Sequence, residues 1–142
     1  MNVLILCTGN SCRSQMAEGF LQRASPDWVV RSAGTEPSPE VHPIAIQVMA
    51  DNKIDLSGHR PESVDLYLGQ EWDLVWTVCG GARESCPRFS GKVKQQIHIG
   101  FDDPAGFSGT EAEVRGRFRQ VRDEIEAVCL RMARQYKSGA MS

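Results

Sequence analysis

The sequence predicts an α/β domain: a mostly parallel, four-stranded sheet with helices on both faces. Three observations carry that expectation. Short runs of aliphatic and β-branched residues alternate along the chain with stretches of helical periodicity. The first run, Val3-Leu4-Ile5-Leu6, is apolar at every position, as in a strand covered on both sides. The chain has 142 residues, which suits one core and leaves no room for a second.

The elements can be placed in chain order. After Val3–Leu6 the segment Cys7-Thr8-Gly9-Asn10-Ser11-Cys12-Arg13-Ser14 is small and polar, and reads as a loop. Met16, Ala17, Phe20 and Leu21 then share one face of a helix that Pro26 ends. Trp28 to Arg31 reads as a second strand, with a Gly- and Pro-bearing loop after it from Ser32 to Pro39. Pro43 suits the first turn of a helix that turns Ile44, Ala45, Val48 and Met49 inward. Pro61 opens a short helix through Leu68. Leu74 to Val78 is the third strand, bounded by Gly80-Gly81, and Gln95 to Ile99 the fourth, closed by Gly100. Thr110 and Glu113 form a capping box for a last helix, whose inner face is Val114, Phe118, Val121, Ile125, Val128 and Met132. Arg131 and Arg134 lie in its last turns, where they complement the helix dipole. One domain over residues 1–137 is expected, with a frayed tail over 138–142.

Composition narrows the function classes. Hydrophobic residues at 41% and charged residues at 24% are ordinary for a globular chain, which argues against a disordered or fibrous one. Sixteen basic against 18 acidic side chains leave a net charge of −2, so no basic footprint for nucleic acid or a membrane surface is present. Val3–Leu6 is too short for a leader or a membrane span. Five cysteines, an odd number without an export signal, read as reactive or buried thiols in a reducing cytoplasm. A cytoplasmic monomer with no bound cofactor and no metal is expected.

In a sheet of this kind ligands sit at the carboxyl ends of the strands. The loops after Leu6, Val78 and Ile99 all open on that edge. In the first, Cys7 and Arg13 are separated by five residues, and the loop leads into a helix. The backbone N–H groups of Thr8, Gly9, Asn10, Ser11, Cys12 and Arg13 can converge on one tetrahedral oxyanion. Arg13 adds a planar fork of donors, and Cys7 sits beneath as the nucleophile. The same donors, with a hydroxyl such as Ser14, are expected to lower the Cys7 pKa by ~2 units from ~8.5, which takes about 2.7 kcal/mol. The bland reading of Cys7 is a small core residue, and Cys12 fits that reading better.

The second loop holds Cys79 and Cys86 around Gly80-Gly81 and before Pro87. A continuous helix would set their Cα atoms ~10.5 Å apart, beyond the ~7 Å a disulfide allows. The pair is therefore either a switch that closes when the segment bends or two unrelated buried thiols. A zinc site with His98 lacks the usual ligand spacing. In the third loop, Asp102 and Asp103 precede Pro104; one carboxyl can protonate a leaving oxygen, or simply cap a turn. His42, His59 and His98 read as structural.

Taken together, Cys7 to Gly19, Ser32-Ala33-Gly34, Cys79 to Pro87 and Gly100-Phe101-Asp102-Asp103-Pro104 resemble the thioredoxin-coupled arsenate reductases, which share a fold with the low-molecular-weight protein tyrosine phosphatases. The likeness continues through Val121 to Ile125. It implies a relay in which Cys7 attacks bound arsenate with Asp103 as general acid, Cys79 attacks Cys7 to release arsenite, and Cys86 attacks Cys79. The Cys79–Cys86 disulfide would then go to reduced thioredoxin, the electron donor. Asn10 and Ser14 would shape the loop and stabilise the Cys7 thiolate. Some members hold potassium near the loop, but here His59 is followed by Arg60-Pro61-Glu62, and the Arg60 charge argues against a cation. A phosphatase acting through a phosphocysteine is the nearest alternative; tyrosine-selective relatives carry aromatic residues after the Asp-Pro, where Ala105 and Gly106 stand here. A non-enzymatic redox sensor is a more distant one.

Overall fold

The computed structural model describes residues 1–137; the expected frayed tail, 138–142, lies outside the described residues. Four parallel strands form one sheet in the order β2-β1-β3-β4: β1 (Asn2–Cys7), β2 (Val29–Gly34), β3 (Trp72–Thr77) and β4 (Val93–His98). Between them run α1 (Arg13–Ala24), α2 (Pro43–Asp51) and the short α3 (Gly80–Glu84), and α4 (Glu111–Lys137) closes the described chain. The apolar run Val3–Leu6 is fully buried at the centre of the sheet, as its pattern requires. β4 alternates half-buried with exposed residues, the signature of an edge strand with one covered face.

The helices are amphipathic on the expected faces. Met16, Ala17, Phe20 and Leu21 of α1 are buried, as are Phe118, Val121, Ile125, Val128 and Met132 of α4. Cys129 joins them, its thiol directed at the Ala17 carbonyl at 3.6 Å. Thr110 and Glu113 do form the reciprocal capping box, with both bonds at 3.1 Å. At the start of α2 the His42 ring accepts the Ile44 N–H through Nδ1 and lies 4.8 Å from the Phe118 ring.

Three boundaries differ from expectation. The helix expected from Pro61 to Leu68 is only a 3-10 turn, Val64–Tyr67, because Ser63 bridges to Gly34 and holds the preceding segment extended. β2 continues three residues into the expected loop, since Ser32, Ala33 and Gly34 pair with Ile5, Leu6 and Cys7. The third and fourth strands both start two residues earlier and end one residue earlier than expected. Asp73, polar and half-buried, bonds the Asn2 amide and the Lys94 ammonium at the sheet's starting edge, which a hydrophobic pattern does not reveal.

Register decides which residues meet at the carboxyl edge. Cys7 pairs with Gly34, Leu6 with Thr77, and Thr77 with His98, so all of these lie there. The chain leaves β1 in one direction to β2 and later returns to the other side as β3. The crevice between β1 and β3 is thus the topological switch point.

Candidate active site

The loop after β1 is held open by its own carbonyls. Those of Cys7, Thr8, Gly9 and Ser11 accept the amides of Thr35, Glu36, Ser38 and His42 at 2.8–3.2 Å. In a trans peptide the following N–H points opposite to the C=O, so the amides of Thr8, Gly9, Asn10 and Cys12 are turned to the inner side. Asn10 takes φ = 51°, a left-handed conformation that Asn tolerates. Its side chain donates to Ser14 Oγ at 2.8 Å and Ser32 Oγ at 2.9 Å, and accepts the Glu62 amide at 2.9 Å. Gly34 lies so close beneath that a Cβ there would sit 2.6 Å from the Thr8 carbonyl oxygen; only glycine fits.

Arg13 opens α1 and turns back across this loop. One guanidinium nitrogen donates to the Phe101 carbonyl at 3.1 Å, and another lies 3.7 Å from the Asp103 carboxylate. Its Nε–H is buried with no hydrogen-bond partner among the described residues. A buried unpaired donor is costly unless something negative completes it. Asp103 is half-exposed, caps the turn Pro104–Gly106 by accepting the Ala105 amide, and brings the third loop to the same mouth.

Cys79 arrives from β3. Cys7 and Cys79 are 4% and 5% exposed, and each thiol is the largest influence on the ionisation of the other. Thr8 Oγ1 lies 3.4 Å from the Cys79 sulfur, and the Ala82 N–H donates to that sulfur at 3.3 Å as α3 begins. Gly81 passes directly over Thr8, where an added Cβ would come within 2.7 Å of Oγ1. Cys86 comes after α3, half-buried beside Pro87, so the two thiols of the second loop lie at opposite ends of a five-residue helix.

The electrostatics correct one expectation. Cys7 is not the sulfur whose pKa falls: its hydrogen bond to Cys79 and its burial push it up, and Arg13 opposes them only in part. Cys79 is pushed down to about 4, first by the bond with Cys7 and then by the Thr8 hydroxyl and the Ala82 and Thr8 amides. The two thiols titrate as a coupled pair, with Cys79 the one pushed toward its charged form. Asn10 and Ser14 shape the loop together, since the Asn10 amide donates to Ser14 Oγ. Cys12 is fully buried and burial pushes it up to about 12, which fits the packing role. Burial raises Cys86 as well.

This scaffold and its loop have known counterparts. Residues 2–140 match the family of low molecular weight phosphotyrosine protein phosphatases. The chain belongs to that family. Among the relatives of this family member, the arsenate reductase of Halalkalibacterium halodurans is 47% identical over 124 residues, 87% of this chain and 88% of that one. The arsenate reductase of Bacillus subtilis is 45% identical over the same shares of the two chains. A solved arsenate reductase in its phosphate-binding state superposes with a TM-score of 0.77 at 32% identity, covering 94% of this chain and 97% of that one. The low-molecular-weight phosphatase-like fold expected from the sequence is therefore the fold observed.

Several residues of this phosphatase-family site escaped the reading of the sequence. Gln15 is buried, and its amide donates to the Asn10 side chain and backbone and to the Arg60 carbonyl, each at 3.2 Å. His59 closes the set, 3.0 Å from Gln15 Oε1 and 3.5 Å from the Glu18 carboxylate. A polar side chain on the otherwise apolar face of α1 was the available signal for Gln15. His59 was read as structural, and its partners, distant in the chain, were not visible in the sequence.

Proposed function

We propose that this protein is an arsenate reductase working through a three-thiol relay regenerated by a thioredoxin-type dithiol protein. The observation that carries this reading is a second buried thiol at the anion loop, with the Cys79 sulfur 3.4 Å from Thr8 Oγ1: a hydrolase of the same fold has no use for it there. The unpartnered Nε–H of Arg13 and the inward amides of the loop support a tetrahedral oxyanion as ligand, and relatives named arsenate reductase support arsenate in particular.

With arsenate in the loop, Cys7 gives up its proton to the Cys79 thiolate and attacks arsenic. An S–As bond replaces an As–O bond, and the departing oxygen leaves as water with its last proton from Asp103. Cys79 then loses its proton to solvent and attacks the Cys7 sulfur as thiolate. The S–As bonding pair stays on arsenic, which passes from As(V) to As(III), and a Cys7–Cys79 disulfide forms. Cys86 attacks Cys79, Cys7 leaves as thiolate, and the resulting Cys79–Cys86 disulfide is reduced by the dithiol donor.

The test is steady-state turnover of arsenate with thioredoxin, its reductase and reduced nicotinamide cofactor. The unmodified protein turns over; Cys86→Ser releases about one equivalent of arsenite and stops with Cys7 and Cys79 joined, because the exchange has no acceptor thiol left. Sustained turnover by Cys86→Ser would end the relay. Hydrolysis of p-nitrophenyl phosphate by both proteins, with arsenate turned over by neither, would make phosphoester hydrolysis the principal activity.

A further inference from the structure

The relay leaves open how Cys86 becomes a nucleophile, since burial holds its proton on. One cleft of about 240 Å³ brings together Cys86, Arg83, Thr77, Gln96 and His98 along the outer side of β4. At roughly 30 Å³ per water it holds about eight, a space small enough for a proton to cross directly or through solvent. His98 is fixed within it. The Thr77 hydroxyl lies 3.4 Å from the Ile97 carbonyl and 2.8 Å from His98 Nδ1; with its proton given to the carbonyl, its oxygen accepts from His98 Nδ1–H. That bond selects the tautomer and leaves the Nε2 lone pair free to take a proton. Gly100 makes room for this ring: a Cβ there would lie 3.1 Å from Nε2.

We infer that His98 is the proton acceptor for Cys86, and that Arg83 on the same wall stabilises the thiolate that results. The inference rests on the relay proposed above. The step balances without an outside reagent. The Cys86 S–H bond breaks and its proton goes to His98 Nε2. The Cys86 sulfur then bonds Cys79, and Cys7 departs with the electron pair of the broken disulfide. The other charged group facing Cys86 is Arg88, in the adjoining cleft, so every ionic neighbour lining the two clefts favours the charged sulfur. His98 is exposed on its strand, and glutamine keeps a donor toward Thr77 while being unable to hold a proton.

The experiment is iodoacetamide labelling of Cys86 in the full reduced protein, read by peptide mass spectrometry across about pH 6 to 10, for the unmodified protein and His98→Gln. Near neutral pH the unmodified protein labels at Cys86 about tenfold faster, and the gap closes at the alkaline end of the range, where the thiol ionises without an acceptor. Identical rates and profiles in the two proteins would overturn the inference. Failure of the relay itself is read separately, as arsenate turnover by Cys86→Ser, which does not depend on the labelling result.

Discussion

Arg13 reaches three things at once: the Phe101 carbonyl, the Asp103 carboxylate and, through its unpaired Nε–H, the space enclosed by the loop. Lysine cannot span them, having one point charge in place of a fork. Arg13→Lys is expected to fold normally and to lose roughly 100-fold in kcat/KM for arsenate, the scale of one lost oxyanion donor. Thr8 acts on the other sulfur. Replacing it with valine removes a hydrogen bond to a charged atom, worth about 1.5–3 kcal/mol, and so raises the Cys79 pKa by at least about one unit. The thiolate fraction of Cys79 at pH 5 then falls from about nine-tenths to about a half or less, and its alkylation there slows about twofold or more; an unchanged rate would show that the hydroxyl does not donate to the sulfur. At this scale the sequence was informative where chemistry depends on spacing. Cys7 and Arg13 stand out because five small residues between a strand and a helix have few other uses. The downward push on Cys79 was not legible, because it arises first from Cys7, then from Thr8, seventy-one residues away, and from a turn whose shape no pattern reports.

Among the elements, α3 has the fewest supports. It is five residues long, begins with two glycines, and is anchored by Cys79 through the Ala82 amide. Helices this short gain little from their own hydrogen bonds, so unwinding it costs little. That is what the proposed exchange between Cys79 and Cys86 would require, and the same residues that weaken the helix also let it lie against Thr8. Gly81→Ala tests the second role. The new methyl meets Thr8 Oγ1, the segment must shift, and Cys79 moves off Cys7. The expected result is arsenate turnover reduced by about tenfold or more while α3, with an alanine for a glycine, becomes intrinsically more helical by about 1 kcal/mol; turnover at the unmodified rate would show that the close approach is incidental. The glycines were visible in the sequence as helix breakers. That one of them is also a contact surface was not.

For the molecule as a whole, the coupled titration of Cys7 and Cys79 links stability to pH. Unfolded, both thiols titrate near ~8.5. Folded, Cys79 is already ionised above about 4, while Cys7 keeps its proton well past its ordinary value. Between about pH 4 and 8.5 the unfolded chain therefore binds one proton more than the folded one, and stability rises with pH. Above about 8.5 the unfolded chain sheds both protons, the folded one retains one, and stability falls. The unfolding free energy in urea under reducing conditions, minus that of Cys79→Ser, should rise from about pH 4 and level off near 8.5, because buried Cys7 behaves alike in both proteins above that point; a difference flat across pH would dismiss the coupling. The alternation of strands and helices, the buried central strand and the long last helix could all be read in advance, because burial on both faces and 3.6-residue periodicity are local properties. The 3-10 turn at Val64–Tyr67 could not, since its conformation depends on a bridge between Ser63 and the far end of β2.

Clamped from outside by the bonds between its carbonyls and residues 35–42, the socket at the sheet edge cannot widen for one guest or tighten for another. Arsenate and phosphate are both tetrahedral anions of like charge, and such a seat has little basis for preferring either. Phosphate would enter, occupy it and leave unchanged. Selectivity then falls to the one property the two guests do not share: arsenic readily accepts an electron pair from sulfur, whereas phosphorus keeps its oxidation state.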